Sequence, residues 1–489
     1  MDRKLILVVD YGTSNVRVNA IDTDNGEIAY SASRKYKIVP KMPGYAEIST
    51  DELWRFSVEC MDEVVKHVTK QEEICAIAYS FFGDNLIPVD KDGNALNDCI
   101  LCTDIRGKEE ADFVNSKIPA KKQIEIIGAE YWPMVFGAKL LWVKKNMPEI
   151  ADKIAYFDSQ QQFVFRKLGL RPVNDYTMAA RKQLLNLDTM QWAEEFLDVF
   201  GISEDMLGND IVASGDVVGY IDQYGEIQFP KPVPVIAGGH DCDVAMIGMG
   251  VIDETQDLLG DITGTFDHVG YMANNTVNLK RENPDCPLAS YSGPFKNTSI
   301  CLGAFPTAGA TVEWFMRELQ EGTSGADYER YWESVEFDGK GSVMVHPTID
   351  GNRGIIEGIG YNTSKEDIFK AVIEAVTFEN RRLIEDCKKV KAGEANRLRI
   401  GGGAANSDEW LQLRADISGM TIERMQNIQI SSVGAAVLGA VAVGIYPDVK
   451  TAVEKMVRVK KIFKPTPGIR EKYEVKYQEY LRKMGYCQK

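Results

Sequence analysis

The residue types that could do chemistry in this chain gather at a few turns. Asp10-Tyr11-Gly12-Thr13-Ser14 follows an apolar run. Gly12 permits a tight bend, so backbone N–H groups and the hydroxyls of Thr13 and Ser14 can line one concave side and grip phosphate oxygens. Asp10 suits Mg²⁺ held through water, because that ion favours carboxylates and keeps several waters. Arg17 can point back at the same phosphates. A plain hairpin turn accounts for these residues equally well. Thr263-Gly264-Thr265 offers a second cradle of the same kind. Gly401-Gly402-Gly403-Ala404 lies between a strand pattern and a helix pattern, where glycines admit a ligand to the backbone and the helix N-terminus favours anions. It lacks the spacing of a dinucleotide fingerprint, and the chain has no G-x-x-x-x-G-K-[ST] loop, which disfavours a P-loop ATPase.

Gly238-Gly239-His240-Asp241-Cys242-Asp243 places a carboxylate at the end of an apolar strand pattern. Asp241 there could orient a hydroxyl nucleophile and accept its proton during phosphoryl transfer, or simply cap the next helix. His240 reads as a structural or substrate-contact imidazole. Asp84 and Asp104 follow the strand-like segments 75–80 and 98–102. Either could bond sugar hydroxyls; as solvated loop acids they would do nothing.

The elements that must position these groups follow from periodicity. Leu5–Asp10, Val16–Ile21 and Glu27–Tyr36 read as a three-stranded antiparallel meander, with Asn25-Gly26 marking the second hairpin. From Asp51 the period changes, and Trp54, Val58, Met61, Val65 and Val68 predict one face of a helix capped by Ser49 or Thr50. A strand at 75–80 follows, giving an α/β pattern. The segment 258–265 echoes 8–14 about half a chain away: apolar strand, aspartate, Gly/Thr turn. The echo suggests two lobes of related fold. A helix is expected near 368–387, a strand at 398–400, and a helix capped by Ser407 and stopped at Gly419. The charged tail from Asp448 is expected to form a peripheral helix.

With 489 residues, the chain exceeds the size at which one core stops growing, so two domains are expected. Its net charge of −16 argues against nucleic acid or an anionic membrane as partner, without excluding ATP held by backbone amides. Nine scattered cysteines and four distant histidines argue for reduced thiols in a cytoplasmic protein and against a zinc or iron centre. The longest apolar stretch, 433–445, contains Gly434, Gly439 and Gly444 and falls short of the roughly 20 residues that span a bilayer.

In this order and spacing, the motifs resemble the FGGY carbohydrate kinases over nearly the whole chain. Asp10 to Arg17 is similar to the family's first phosphate motif, and Pro43-Gly44-Tyr45-Ala46-Glu47 to a stretch common in its pentulose kinases. Gly238 to Asp241 is similar to its catalytic segment, and Thr263-Gly264-Thr265 to its second phosphate motif. Gly401 to Ser407 with Trp410, and Ala415 to Gly419, resemble its adenosine motif. The resemblance implies two ribonuclease-H-like (actin-like ATPase) domains of α/β class with an interdomain cleft. Residues 1–250 would bind the sugar and carry the first phosphate motif, and residues 251–489 would bind ATP. It implies a cytoplasmic transferase of carbohydrate metabolism that uses ATP and Mg²⁺ on a small sugar, with a homodimer left open. Asp241 would be general base, and Asp84, Asp104, His240 and Asp241 would meet the substrate. Gly12, Thr13, Ser14, Arg17, Thr263, Gly264, Thr265, Gly309, Gly402, Gly403, Ala404 and Asn406 would meet the nucleotide, and Asp10 and Asp241 the metal. Ala308-Gly309 is similar to the helix start that flanks the adenine. Xylulose kinases usually carry Gln-Met-His where this chain has Phe82-Gly83-Asp84, and a glutamate common before the last helix appears here as Ser431 or Ser432. The loop at 346–360 also looks shortened. An actin-like or chaperone-like ATPase switch, or a sugar-binding regulator without catalysis, are the alternatives.

Overall fold

The computed structural model describes residues 3–38, 42–264, 266–319, 322, 324–347 and 354–486. Thr265 and residues 348–353 of the 346–360 loop lie outside the described residues. The chain forms two compact units. One comprises residues 1–252, 272–301 and 430–458, the other residues 253–271, 302–429 and 459–489.

The first unit is built on a seven-stranded mixed sheet. Arg3–Tyr11 lies at its centre, antiparallel to Asn15–Asp22 and parallel to Glu72–Phe81. Ile28–Lys35 completes the expected meander beyond Asn15–Asp22. The run Leu5–Val9 is apolar without alternation because both faces of the strand are covered. Leu5, Leu7, Val9 and Tyr11 join a core with residues of the helix Thr50–Val65. On the other side, Gly439 of the helix Ile430–Ala442 lies against Ile6 and Ala78. A second core, containing Ile100, Phe136, Leu140, Phe157 and Phe196, gathers the short helices between Lys108 and Phe200.

Three expectations need correction. The helix Thr50–Val65 ends before Val68, and its fully buried stripe is Leu53, Ser57, Cys60, Met61 and Val64. Trp54, Val58 and Val65 sit at the edge of that stripe, partly buried. Ser49 occupies the N-cap position, but its side chain makes no cap hydrogen bond. The tail from Asp448 is not one peripheral helix. It forms the helix Val449–Met456, the strand Val459–Phe463, which pairs with Thr421–Met425, and the helix Ile469–Lys483. That last helix buries Tyr473, Tyr477 and Tyr480, whose hydroxyls donate to Glu374 at 3.1 Å, Glu385 at 2.8 Å and Glu379 at 2.7 Å.

The second unit repeats the sheet logic. Leu258–Thr263 pairs antiparallel with Asp267–Ala273 and parallel with Arg397–Gly402. Thr421–Met425 runs parallel beyond that. The helix Lys365–Val390 supplies much of this unit's interior, including Phe369, Val372, Val376 and Phe378. Ser407 caps the helix Asp408–Ser418 by accepting from Trp410 N, and Gly419 stops it in the left-handed region, both as expected.

Candidate active site

In the first unit, Asp10 and Asp241 are brought together by two helix starts. Asp10 is the penultimate residue of its strand and pairs in register with Arg17. Its Oδ2 accepts from Ser431 Oγ at 3.2 Å and Ser432 Oγ at 3.3 Å, at the start of the helix Ile430–Ala442. Asn19 donates to Ser432 Oγ at 2.9 Å, which leaves the Ser432 proton for Asp10. Burial pushes the Asp10 carboxyl up, its hydroxyl partners and Arg17 pull it down, and the charge of Asp241 pushes it up again. Ser431 and Ser432 thus give Asp10 neutral hydroxyl donors.

Asp241 opens the helix Asp241–Gly248, and its side chain is 35% exposed. This helix crosses Ile430–Ala442 through glycines: a Cβ on Gly434 would lie 1.7 Å from Val244 O, and one on Gly248 1.9 Å from Ile430 O. The backbone contact is closer than any side chain allows, which ties the position of Asp241 to that of Ser431 and Ser432. His240 braces Asp241 from behind. Its Nε2 lies 3.3 Å from Asp241 Oδ1, while Nδ1 meets Asp243 Oδ2 at 2.7 Å. The His240 N–H donates to Thr177 Oγ1 at 2.8 Å, and Thr177 donates in turn to Asp175.

Asp84 adjoins this cluster at a turn that is held on every side. Phe82 N donates to Tyr11 O, Asn85 Nδ2 to Phe82 O, and the buried Lys139 ammonium to the carbonyls of Asp84 and Leu101. Asp104 departs from the expected sugar contact. It is fully buried, and Ala46 N, Arg106 N and the Arg106 side chain all donate to its oxygens. The Arg106 guanidinium also lies over the rings of Tyr45 and Trp142, at 4.2 Å and 4.9 Å, which themselves meet edge to face. Asp104 therefore clamps the 43–47 stretch. Lys139, Arg181, Asp243 and Tyr291 were not singled out in the sequence. A lysine amid Phe136-Gly137-Ala138 and Leu140-Leu141 was the available signal for the first.

His240, Asp241 and Cys242 also bring three donor atoms within 4.8 Å of one another. Burial raises the Cys242 thiol well above its usual range, so it stays protonated and is a poor ligand. Asp10 and Asp241 fit Mg²⁺ better. That ion binds through one or two carboxylates plus phosphates, and a cation near both would offset the burial that raises Asp10.

In the second unit, six of the expected nucleotide residues line one cavity of about 890 Å³, and Gly402 is not among its lining residues. Thr263, Gly264, Gly309, Gly403, Ala404 and Asn406 all reach it. Thr263 Oγ1 donates to Gly401 O and accepts from Ala404 N, each at 3.0 Å, locking the glycine loop to the strand end. Gly402 has φ +96°, and a Cβ there would lie 1.9 Å from Thr263 O. Gly309 N donates to Gly264 O at 3.1 Å, joining the start of the helix Ala308–Leu319 to the same turn. Tyr328 and Trp332 add aromatic faces, and Glu313, Glu329, Glu333 and Glu409 add carboxylates. Gly12, Thr13 and Ser14 form their turn in the first unit, with Gly12 N donating to Asn15 O at 2.9 Å.

Profiles of the two domains of one family cover this chain. The N-terminal domain of the FGGY family of carbohydrate kinases matches residues 5–248, and the C-terminal domain residues 276–443. The chain belongs to the FGGY family of carbohydrate kinases. It is therefore a phosphotransferase acting on an alcohol group, of the expected two-domain α/β, actin-like ATPase fold. A xylulose kinase of Staphylococcus epidermidis is 27% identical over 98% of this chain and 96% of that protein. Among solved structures, ligand-bound xylulose kinase from Lactobacillus acidophilus has a TM-score of 0.88 at 22% identity, covering 99% of this chain and 98% of that one. Gluconate kinase from the same organism has a TM-score of 0.87 at 22% identity, with the same coverage. No helix among the described residues is long and apolar enough to cross a membrane.

Proposed function

We propose that this kinase moves the γ-phosphoryl group of ATP to a hydroxyl of a ketopentose, deoxyketose or polyol, with Asp241 as general base. The observation that carries the reading is the setting of Asp241. It is a part-exposed carboxylate at a helix start, braced by His240 at 3.3 Å and beside the half-buried Asp10. A base must reach the hydroxyl proton and stay oriented while it does so. His240 and the Asp241–Gly248 helix keep Asp241 in place. Asp84 sits where it can hold another hydroxyl of the substrate, while His240, with both ring nitrogens on carboxylates, acts by bracing Asp241.

The second unit supplies the adenosine pocket. Its glycine loop admits the nucleotide to the backbone, with Tyr328 and Trp332 offering faces for the base. The carboxylates on its wall suit ribose hydroxyls and an exocyclic amine, both hydrogen-bond donors, and repel phosphates. The phosphates then belong to the Thr263–Gly264 end, where Gly264, Gly309 and Gly403 bring backbone to the cavity wall. Gly12, Thr13, Ser14 and Arg17 offer hydrogen-bond donors in the first unit. Asp10 and Asp241 would hold Mg²⁺, which neutralises phosphate charge when bound. The sugar and first phosphate motif thus fall within residues 1–250 and the adenosine within 251–489. Membership of a carbohydrate kinase family removes the ground for the ATPase-switch alternative.

The test is ADP release with Mg·ATP across ketopentoses, deoxyketoses, tetruloses and polyols. One member should stimulate turnover, and Asp241→Asn should lower that turnover by about 10²–10⁴-fold while the protein stays folded. Near-normal turnover in Asp241→Asn would remove the residue from this role.

A further inference from the structure

Asn19 is a fully buried amide flanked by the buried Val18 and Ala20. Burying an amide among apolar side chains costs stability unless it is hydrogen-bonded, and a valine or leucine would fill the space at less cost. The use that Asn19 makes of its bonds therefore calls for an explanation. It shares one face of the sheet with Arg17, two residues away, and with Val8 and Asp10 of the neighbouring strand, which pair in register with Asn19 and Arg17. The helix Ile430–Ala442 packs on that face, where Gly439 lies against Ile6.

A chain of donors crosses the sheet at this point. Ser31, exposed and directly opposite Asn19 on the next strand, donates to Asn19 Oδ1 at 2.7 Å. Asn19 Nδ2 donates to Ser432 Oγ at 2.9 Å, and Ser432 donates to Asp10 Oδ2 at 3.3 Å. The carboxylate fixes the direction. An ionised carboxylate only accepts, so the Ser432 proton belongs to Asp10 and a donor must meet the Ser432 lone pair. Turning the Asn19 amide over would set its oxygen against Ser432 and leave one proton for two acceptors. With that proton drawn to Asn19, Asp10 Oδ2 would lose the Ser432 hydroxyl and keep that of Ser431, at 3.2 Å.

Resting on the kinase reading above, we infer that Asn19 is a positioning residue: acting through Ser432, it holds the Asp10 carboxylate in the orientation that meets Mg²⁺ and the phosphates. Asn19 is sealed inside the sheet and meets no ligand itself. Both serines act on the same oxygen, Oδ2, which leaves Oδ1 outside this chain. A carboxylate that serves a metal has to keep its oxygens turned toward the ion, and a displacement of about 1 Å at such a group can cost about 10²-fold in rate. Ser432 also stands in the first turn of the helix Ile430–Ala442, so the bond from Asn19 ties that helix start to the sheet beside Asp10.

The test uses Asn19→Asp, Asn19→Leu and Ser432→Ala in the full-length protein. Turnover is read as kcat and KM in sugar-stimulated ADP release, and metal use as the ratio of calorimetric ADP affinities with and without Mg²⁺. Asn19→Asp keeps the shape but accepts where the amide donated, so the Ser432 proton is contested. It should lower kcat by about 10²-fold and the Mg²⁺ ratio by about 10-fold, with the KM for sugar within about twofold. Asn19→Leu removes the donor without adding charge and should move kcat and the ratio the same way by about 10-fold or less. Combined with Ser432→Ala, it should lose less than the product of the two. Folded Asn19 variants with wild-type kcat and Mg²⁺ ratio, even at a lower urea midpoint, would overturn the inference and leave the kinase reading standing. A wild type whose ADP affinity ignores Mg²⁺ would overturn it as well. A wild type that phosphorylates no sugar, with Asn19 variants that still lose the Mg²⁺ ratio, would sustain the inference and sink the kinase reading.

Discussion

Gly434→Ala tests whether the helix crossing sets the catalytic geometry. By intrinsic propensity alone the substitution should help, since alanine is favoured over glycine in a helix by about 1 kcal/mol. The packing opposes it. The new Cβ would lie 1.7 Å from Val244 O, 2.7 Å from its carbonyl carbon and 2.9 Å from Gly248 N. All three are backbone atoms, so no side chain can swing aside. An ordinary C···O approach is about 3.3 Å, and the two helices must therefore separate by about 1.6 Å. Overpacking of this kind costs about 1–3 kcal/mol or more, which outweighs the propensity gain. The separation also moves Asp241, at one helix start, away from Ser431 and Ser432 at the other. A displacement of about 1 Å can cost about 10²-fold in rate. We expect Gly434→Ala to lower the urea midpoint and to cut kcat by about 10²-fold, while Gly360→Ala, with no atom within 4 Å of its Cβ, should change neither. The assay is sugar-stimulated ADP release, run beside urea unfolding. Wild-type kcat in a folded Gly434→Ala protein would refute the coupling between the helix crossing and the site.

Two other changes report on separate parts of the molecule. Gly402→Ala places a Cβ 1.9 Å from Thr263 O at a φ of +96°, so it should raise the KM for ATP by about 10-fold or more and leave sugar binding within about twofold; an unchanged KM for ATP would detach this glycine from the nucleotide. Burial pushes the Asp175 carboxyl up to about 6, although Thr177, Ser214 and Gln161 donate to it. Because the folded value lies above the unfolded one of about 3.9, the contribution of Asp175 is fully present below about pH 4 and lost as pH rises through about 6. Relative to the wild type, Asp175→Asn should flatten stability across that window by up to about 3 kcal/mol, measured as urea unfolding at successive pH values. Parallel wild-type and variant curves would count against the raised value.

The periodic and turn-rich parts of the fold could be read directly from the residues. The meander, the strand before the glycine loop and the Ser407 cap were all marked by local patterns whose physical cause is also local. The helix Thr50–Val65 was recognised, but its buried face was not. Apolar residues line two adjoining stripes of that helix, one through Leu53, Cys60 and Val64 and one through Trp54, Val58 and Val65. Periodicity cannot choose between them without the sheet they face. The tail failed for a related reason. Its charges sit on the outer side, while Tyr473, Tyr477 and Tyr480 reach inward to glutamates on a helix about a hundred residues earlier. Arg181 and Tyr291 escaped notice because Arg181 lies over the Tyr291 ring and against Gly83, residues far apart in sequence.

The echo between Asp10 and Asp261 shows how topology and chemistry separate. Each aspartate lies on a strand with an antiparallel neighbour on one side and a parallel neighbour on the other. The repeated sequence pattern thus marks a repeated topology. The side chains do different work. Asp10 keeps partial exposure and two serine hydroxyls, and stands beside Asp241. Asp261 is fully buried, with Arg414 at 2.5 Å and Asn380 at 2.8 Å, and Arg414 reaches on to Asp267 at 2.9 Å. Burial pushes the Asp261 carboxyl up, and Arg414 pulls it back. The difference comes from what packs on each strand end. A helix beginning with serines meets Asp10, whereas the helix Asp408–Ser418 drives a fully buried arginine against Asp261. Asp10 keeps an exposed edge beside Asp241, whereas Asp261 is consumed in the pairing with Arg414, which also holds Asp267.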